Sequence, residues 1–193
     1  MNDERFLVSG WEDDLNDIDE EENPHETPEK EVLWAAENGE LNDLKRLIEA
    51  NAELINIVDK DGYSPLHRAC YGNHIEMVEY LLTKGANIGS KTQMKWEPLH
   101  SCCQWSHTQC AIRLLQEGAD VNAISDGGQT PLHVAANHGA CYDMIQLLLM
   151  HPYIKPELVN NSKETAENIA KRSSKYYHIF EMADPAIQGL SDI

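Results

Sequence analysis

Four residues near the middle of the chain are of the types that hold metal ions: Cys102, Cys103, His107 and Cys110. Thiolate and imidazole together suit zinc, but structural zinc sites favour Cys-x-x-Cys pairs, and none is present here. Cys102 and Cys103 fall 33 residues before Ala135 and Ala136, so at least one of them is expected to pack as a small apolar side chain. Three histidines, His67, His100 and His133, could serve as bases or ligands. Their even spacing of 33 residues puts one in each structural unit, about 10 Å from the next if the units pack as neighbouring helices do. That is too far to share a metal or act on one bond. No phosphate loop, nucleophile elbow or pair of carboxylates at catalytic spacing is found. The expectation is a chain with no catalytic residues, no metal and no cofactor.

Each histidine closes a tetrapeptide: Ser64-Pro65-Leu66-His67, Glu97-Pro98-Leu99-His100 and Thr130-Pro131-Leu132-His133. Ser64 and Thr130 are good helix N-caps, because a hydroxyl accepts from an orphan N–H. Proline suits the first helical position, where its missing donor costs little. Leucine points inward, and the imidazole can bridge backbone or hydroxyl groups of adjoining units. Glu97 replaces the hydroxyl, and a carboxylate at a helix N-terminus is expected to be favourable. A fixed period of this length signals stacked supersecondary units rather than one globular core.

The Thr-Pro-Leu-His period resembles that of the ankyrin repeat family, over about residues 29–183. The resemblance implies an all-α ankyrin-repeat solenoid of paired antiparallel helices joined by hairpin-like loops, with about four repeats and a C-terminal capping half-repeat. The expected units are about 29–62, 63–95, 96–128 and 129–163, with the cap at 164–184. The first unit is expected to begin near Glu29 with a degenerate cap, Val32-Leu33-Trp34 standing where later units carry Leu and His. The third replaces the usual Asp-Gly before its cap with Met94-Lys95, and the usual Asn-Gly turn with Trp105-Ser106. The last is more polar, as an end unit requires. Residues 185–193 are expected to fray.

Residues 1–28 read as an acidic disordered tail. Residues 1–29 hold twelve Asp and Glu against Arg5, out of a net charge of −18. Within the tail, Trp11, Leu15 and Ile18 lie at helical spacing among aspartates, after Phe6, Leu7 and Val8. A solvated tail is the preferred reading; the alternative is a short acidic-hydrophobic motif that folds on a partner. So acidic a chain is not expected to bind nucleic acid directly. No apolar run approaches the ~20 residues of a membrane span, and the start lacks the basic and apolar regions of a secretory signal. Five cysteines at small-residue positions are expected to be reduced thiols of a cytosolic or nuclear protein.

The resemblance implies binding through a concave face of hairpin tips and short inner helices. The positions just before each cap hold Tyr63, Trp96 and Gln129; those after the small-residue pairs hold Tyr71, Gln104, Trp105, Asn137 and His138, with Arg68 beside them. Exposed Trp and Tyr are the residues most enriched in binding hot spots. The alternative is that Trp96 and Trp105 fold onto neighbouring loops. The expected function is a non-enzymatic adaptor, a monomer that binds protein partners, including ones with basic patches that its acidity would steer. A closer likeness within the family, carried by Trp34-Ala35-Ala36-Glu37, Pro65-Leu66-His67-Arg68-Ala69 and Tyr153-Ile154-Lys155-Pro156, implies a nuclear or nucleocytoplasmic regulatory role. The alternative function is a transcriptional co-regulator whose acidic segment acts as an activation-type motif. Asn122, after Leu114, Asp120 and Val121, also resembles sites of asparaginyl hydroxylation in this family; a simple turn hydrogen bond is the preferred reading.

Overall fold

The computed structural model describes residues 23–137, 142–173 and 176–180. The Trp11 segment, His138 and the tail after residue 180 lie outside them. Nine α-helices are present among the described residues: α1 Pro28–Asn38, α2 Leu41–Ala50, α3 Pro65–Tyr71, α4 Ile75–Thr83, α5 Pro98–Trp105, α6 Thr108–Gln116, α7 Pro131–Asn137, α8 Tyr142–Leu149 and α9 Ala166–Ser173. A short 3₁₀ turn, Ala52–Asn56, follows α2. The odd-numbered helices pack one on the next from α1 to α9, forming an inner layer. Each of α1, α3, α5 and α7 also packs on the helix that follows it, and α4, α6 and α8 line up behind as an outer layer. Leu66, Leu99 and Leu132, one per tetrapeptide, are fully buried between the layers with Leu81, Leu114 and Leu148. No single unit could bury this surface alone, so the stack is the smallest stable object.

The tetrapeptide histidines fasten each unit to the next. The Ser64 N–H and hydroxyl both meet His67 Nδ1, at 3.2 and 2.9 Å. A backbone N–H can only donate, so Nδ1 accepts and Nε2 carries the proton. Nε2 then donates to the Trp96 carbonyl of the following unit at 3.0 Å. His100 repeats the bridge to Gln129 O at 3.2 Å, and His133 to Glu164 O at 3.1 Å. Burial holds His67 and His100 neutral, lowering each pKa to about 4, and lowers that of His133. A second set of bridges closes the other end of the inner helices. His74 Nε2 meets Glu37 O at 2.8 Å, His107 Nδ1 meets Cys70 O at 2.9 Å, and Ser173 Oγ donates to Ala136 O at 2.8 Å. At the hairpin tips the Gln93, Asp126 and Asn161 N–H groups donate to Asp61, Met94 and Gly127 carbonyls. Every joint is thus pinned by polar groups that would otherwise be orphaned.

One expectation needs correction. The first unit does not have a degenerate cap. Thr27 Oγ1 accepts from Lys30 N–H at 3.3 Å and Pro28 takes the first helical position. α1 is 11 residues long against 7 in α3, so its cap lies one turn upstream of the repeat frame. Glu97 caps α5 and is buried, and burial raises its pKa against the Lys91 ammonium 3.5 Å away.

Candidate partner-binding face

The cysteine–histidine cluster divides in three dimensions: Cys102 stays beside Cys110, and Cys103 and His107 turn to other partners. Cys102 and Cys103 are both buried, as are Cys70 and Cys110, and all four are free thiols. Successive helical residues point about 100° apart. Cys103 reaches Met144 Sδ at 3.8 Å, Cys102 faces Cys70 and Cys110, and His107 is turned to Cys70 O. Burial raises the pKa of Cys102 and Cys103, keeping them protonated and apolar. Among the described residues, no group of three or more His, Cys, Asp or Glu is placed to hold a metal ion.

The candidate face divides into two rows. In the row before the caps, Tyr63, Trp96 and Gln129 are half-buried. Trp96 stacks on His100, with ring centroids 5.9 Å apart, and its carbonyl receives the His67 bridge. The Gln129 carbonyl receives that of His100. Tyr63 meets the His67 ring edge-on at 5.7 Å and lies under the Arg68 guanidinium at 5.2 Å; burial raises its phenol pKa. These rings are committed to the packing of the joints. Arg68 is committed too. Its Nη1 donates to Glu37 Oε2 at 3.0 Å and its Nη2 to Asp59 Oδ2 at 2.6 Å, with 19% of the side chain exposed. It clamps the first unit to the second.

The second row runs along the C-terminal ends of the inner helices. Tyr71 ends α3 and Trp105 ends α5, so stacking of these helices brings the two rings together. They meet edge to face, 5.4 Å between centroids at 89°. Trp105 is 45% exposed. Gln104 is half-buried beside it, and Asn137 is exposed at the end of α7. The sequence reading missed Met94, which is 64% exposed at a hairpin tip. Its signal was available: an apolar residue where other units carry a turn residue. Among the described residues the row offers apolar rings and side-chain amides. Rings and amides of this kind can bury apolar area and form hydrogen bonds.

A family model described as "Ankyrin repeats (3 copies)" matches residues 14–92, 32–125 and 87–160. The chain belongs to the ankyrin repeat family. Among its relatives, it is 48% identical over 182 residues to Ankyrin repeat domain-containing protein 49 of Drosophila melanogaster, covering 94% of this chain and 85% of that protein. It is 52% identical over 165 residues to the Homo sapiens protein of the same name, covering 86% of this chain and 69% of that one. A shorter likeness, 38% over 65 residues, links it to 26S proteasome non-ATPase regulatory subunit 10 of Rattus norvegicus, covering 34% of this chain and 28% of that protein. Ankyrin repeats form a protein-interaction scaffold, and the stack described above is one.

Proposed function

We propose that this ankyrin stack is a non-enzymatic, monomeric adaptor that captures a protein partner on its concave side, with Trp105 and Tyr71 as the anchor. The supporting observation is the exposed Trp105 ring held edge-on by Tyr71. A pre-positioned aromatic loses little freedom on binding, so most of its burial appears as affinity. The net charge of −18 favours partners with basic patches by speeding encounter. The role is a regulatory one in the nucleus or cytoplasm. Trp105→Ala tests the anchor better than a double change with Trp96, which is built into a joint. The variant is expected to keep the native thermal melt and lose partner capture by about 30-fold, the effect of one hot-spot side chain. Undiminished capture would place the binding face elsewhere.

The acidic composition of residues 1–29 supports a second reading, transcriptional co-regulation through an activation-type segment. Fused to a DNA-binding domain, residues 1–29 would then raise reporter output; a plain adaptor gives none.

A further inference from the structure

Charge is distributed very unevenly along the chain. Residues 1–22 carry ten Asp and Glu against one Arg, residues 23–149 carry seventeen against nine Lys and Arg, and residues 181–193 carry three against none. Residues 150–180 reverse the sign, with five Lys and Arg against three Glu. Part of that positive charge is unspent. Lys171 pairs with Glu167, and Arg172 with Glu164. Lys155 and Lys163 are exposed and form no ion pair among the described residues.

The same region concentrates exposed apolar surface. Tyr153 is 77% and Met150 75% exposed, and Ile124 and Val159 are also open. They belong to one rim. The Asn122 amide donates to Tyr153 O at 2.7 Å and its Oδ1 accepts from Lys155 N–H at 2.9 Å, which ties the 153–155 loop to the segment carrying Ile124. Val159 pairs with Thr165 across the turn that carries Lys163. Exposed apolar side chains beside unpaired ammonium groups suit a segment that is both apolar and acidic.

The chain's own start has that composition. Phe6, Leu7, Val8 and Trp11 are flanked by Asp3, Glu4, Glu12, Asp13 and Asp14. Length permits the meeting. From α1 to α9 is four inner-helix spacings, about 40 Å at 8–10 Å each. Trp11 precedes Asn23 by twelve residues, which span about 40 Å when extended. The linker must be nearly extended to reach, so the contact itself, and not a high effective concentration, holds the segment there. The rest of the stack, net negative, repels the segment toward this end.

We propose that the rim formed by Ile124, Met150, Tyr153, Lys155 and Lys163 is the docking site of residues 3–14 of the same chain. The proposal is independent of the concave-face reading, since Tyr71 and Trp105 are not part of it. Zero-length carbodiimide crosslinking of the full-length monomer at low micromolar concentration, mapped by mass spectrometry, tests it. Carboxylates of residues 3–14 are expected to link mainly to Lys155 and Lys163. Trp11→Ala is expected to cut those links about tenfold, the loss of one aromatic anchor, and 0.5 M salt should cut them further by screening. Trp105→Ala should leave them unchanged. Links confined to covalent dimers would overturn the proposal in favour of a second copy's arm. Links spread equally over Lys45, Lys60, Lys84 and Lys91, or none at all, would overturn it outright.

Discussion

Replacing Glu97 with threonine should stabilise the stack by about 1 kcal/mol. The molecule contains its own controls. Ser64 Oγ lies 2.9 Å from His67 Nδ1 and Thr130 Oγ1 2.8 Å from His133 Nδ1. His100 Nδ1, in the same setting, has the Glu97 backbone N–H at 3.1 Å and no hydroxyl. A buried hydroxyl–imidazole hydrogen bond contributes about 1 kcal/mol. Removing the buried carboxylate also removes its desolvation cost. Against these gains stands the Lys91 pair at 3.5 Å; Lys91 is half exposed, so the pair is worth roughly 0.5 kcal/mol. For a chain of this size a net gain of about 1 kcal/mol raises the Tm by about 2–4 °C. The gain should depend on pH. Burial raises the folded pKa of Glu97 above its unfolded value, so the wild type loses stability relative to the variant as pH rises through that pKa. Urea midpoints at pH 4.5 and pH 7 are the assay, with the gap larger at pH 7. An unchanged or lower midpoint at pH 7 would refute the view that this carboxylate is poorly solvated.

The buried histidines give the whole fold an acid limit. With folded pKa values near 4 for His67 and His100, below the ~6.5 of an unfolded chain, stability is intact above pH 6.5. It should fall by about 1.4 kcal/mol per histidine per pH unit between there and pH 4; a flat urea midpoint across pH 7 to 5 contradicts this. Arg68→Met leaves Glu37 and Asp59 facing each other without their shared cation and should cost about 2 kcal/mol, since breaking a partly buried pair strands its partners; chemical denaturation measures it. Asn122→Ala removes both bonds that anchor the 153–155 loop and should cost about 1–2 kcal/mol, with hydrogen exchange of the Lys155 amide rising most. Lys95 and Ser106 sit at φ of 57° and 58°, so Lys95→Gly and Ser106→Gly should each stabilise by roughly 1 kcal/mol, read as higher thermal midpoints.

Much of the architecture was legible because it repeats. The cap, the proline and the inward leucine recur at one spacing, and each has a local physical meaning that needs no tertiary context. The cap of α1 escaped because Thr27-Pro28 lies outside that spacing, displaced by an extra helical turn. The candidate face was only half legible for a different reason. Trp96 and Trp105 differ by 9 positions and look equally available in sequence. One is folded over His100 and the other stands out from the end of α5. Trp96 finds its ring partner, His100, within its own unit, whereas the ring that holds Trp105, Tyr71, lies across a joint and 34 residues away. Arg68 shows the same limit: Glu37 and Asp59 are 31 and 9 residues from it.

The third unit departs from the repeat at four points, and the departures have a common direction. Glu97 gives up the hydroxyl cap, Lys95 and Ser106 accept left-handed backbone where other units have Gly62, Gly128, Gly39 or Asn73, and Met94 exposes a thioether at a tip. Each costs stability by local rules. None is repaid inside the unit by an additional core residue, since Leu99, Cys103 and Leu114 fill the places that Leu132, Ala136 and Leu148 fill next door. Of the four, Ser106 adjoins Trp105, whereas Met94, Lys95 and Glu97 lie at the opposite, N-terminal end of α5. Sequences break their own local rules mainly where function demands it. The break at Ser106, in the turn directly after the exposed Trp105, therefore supports the reading that the third unit carries the anchor, while the second and fourth units hold it on either side.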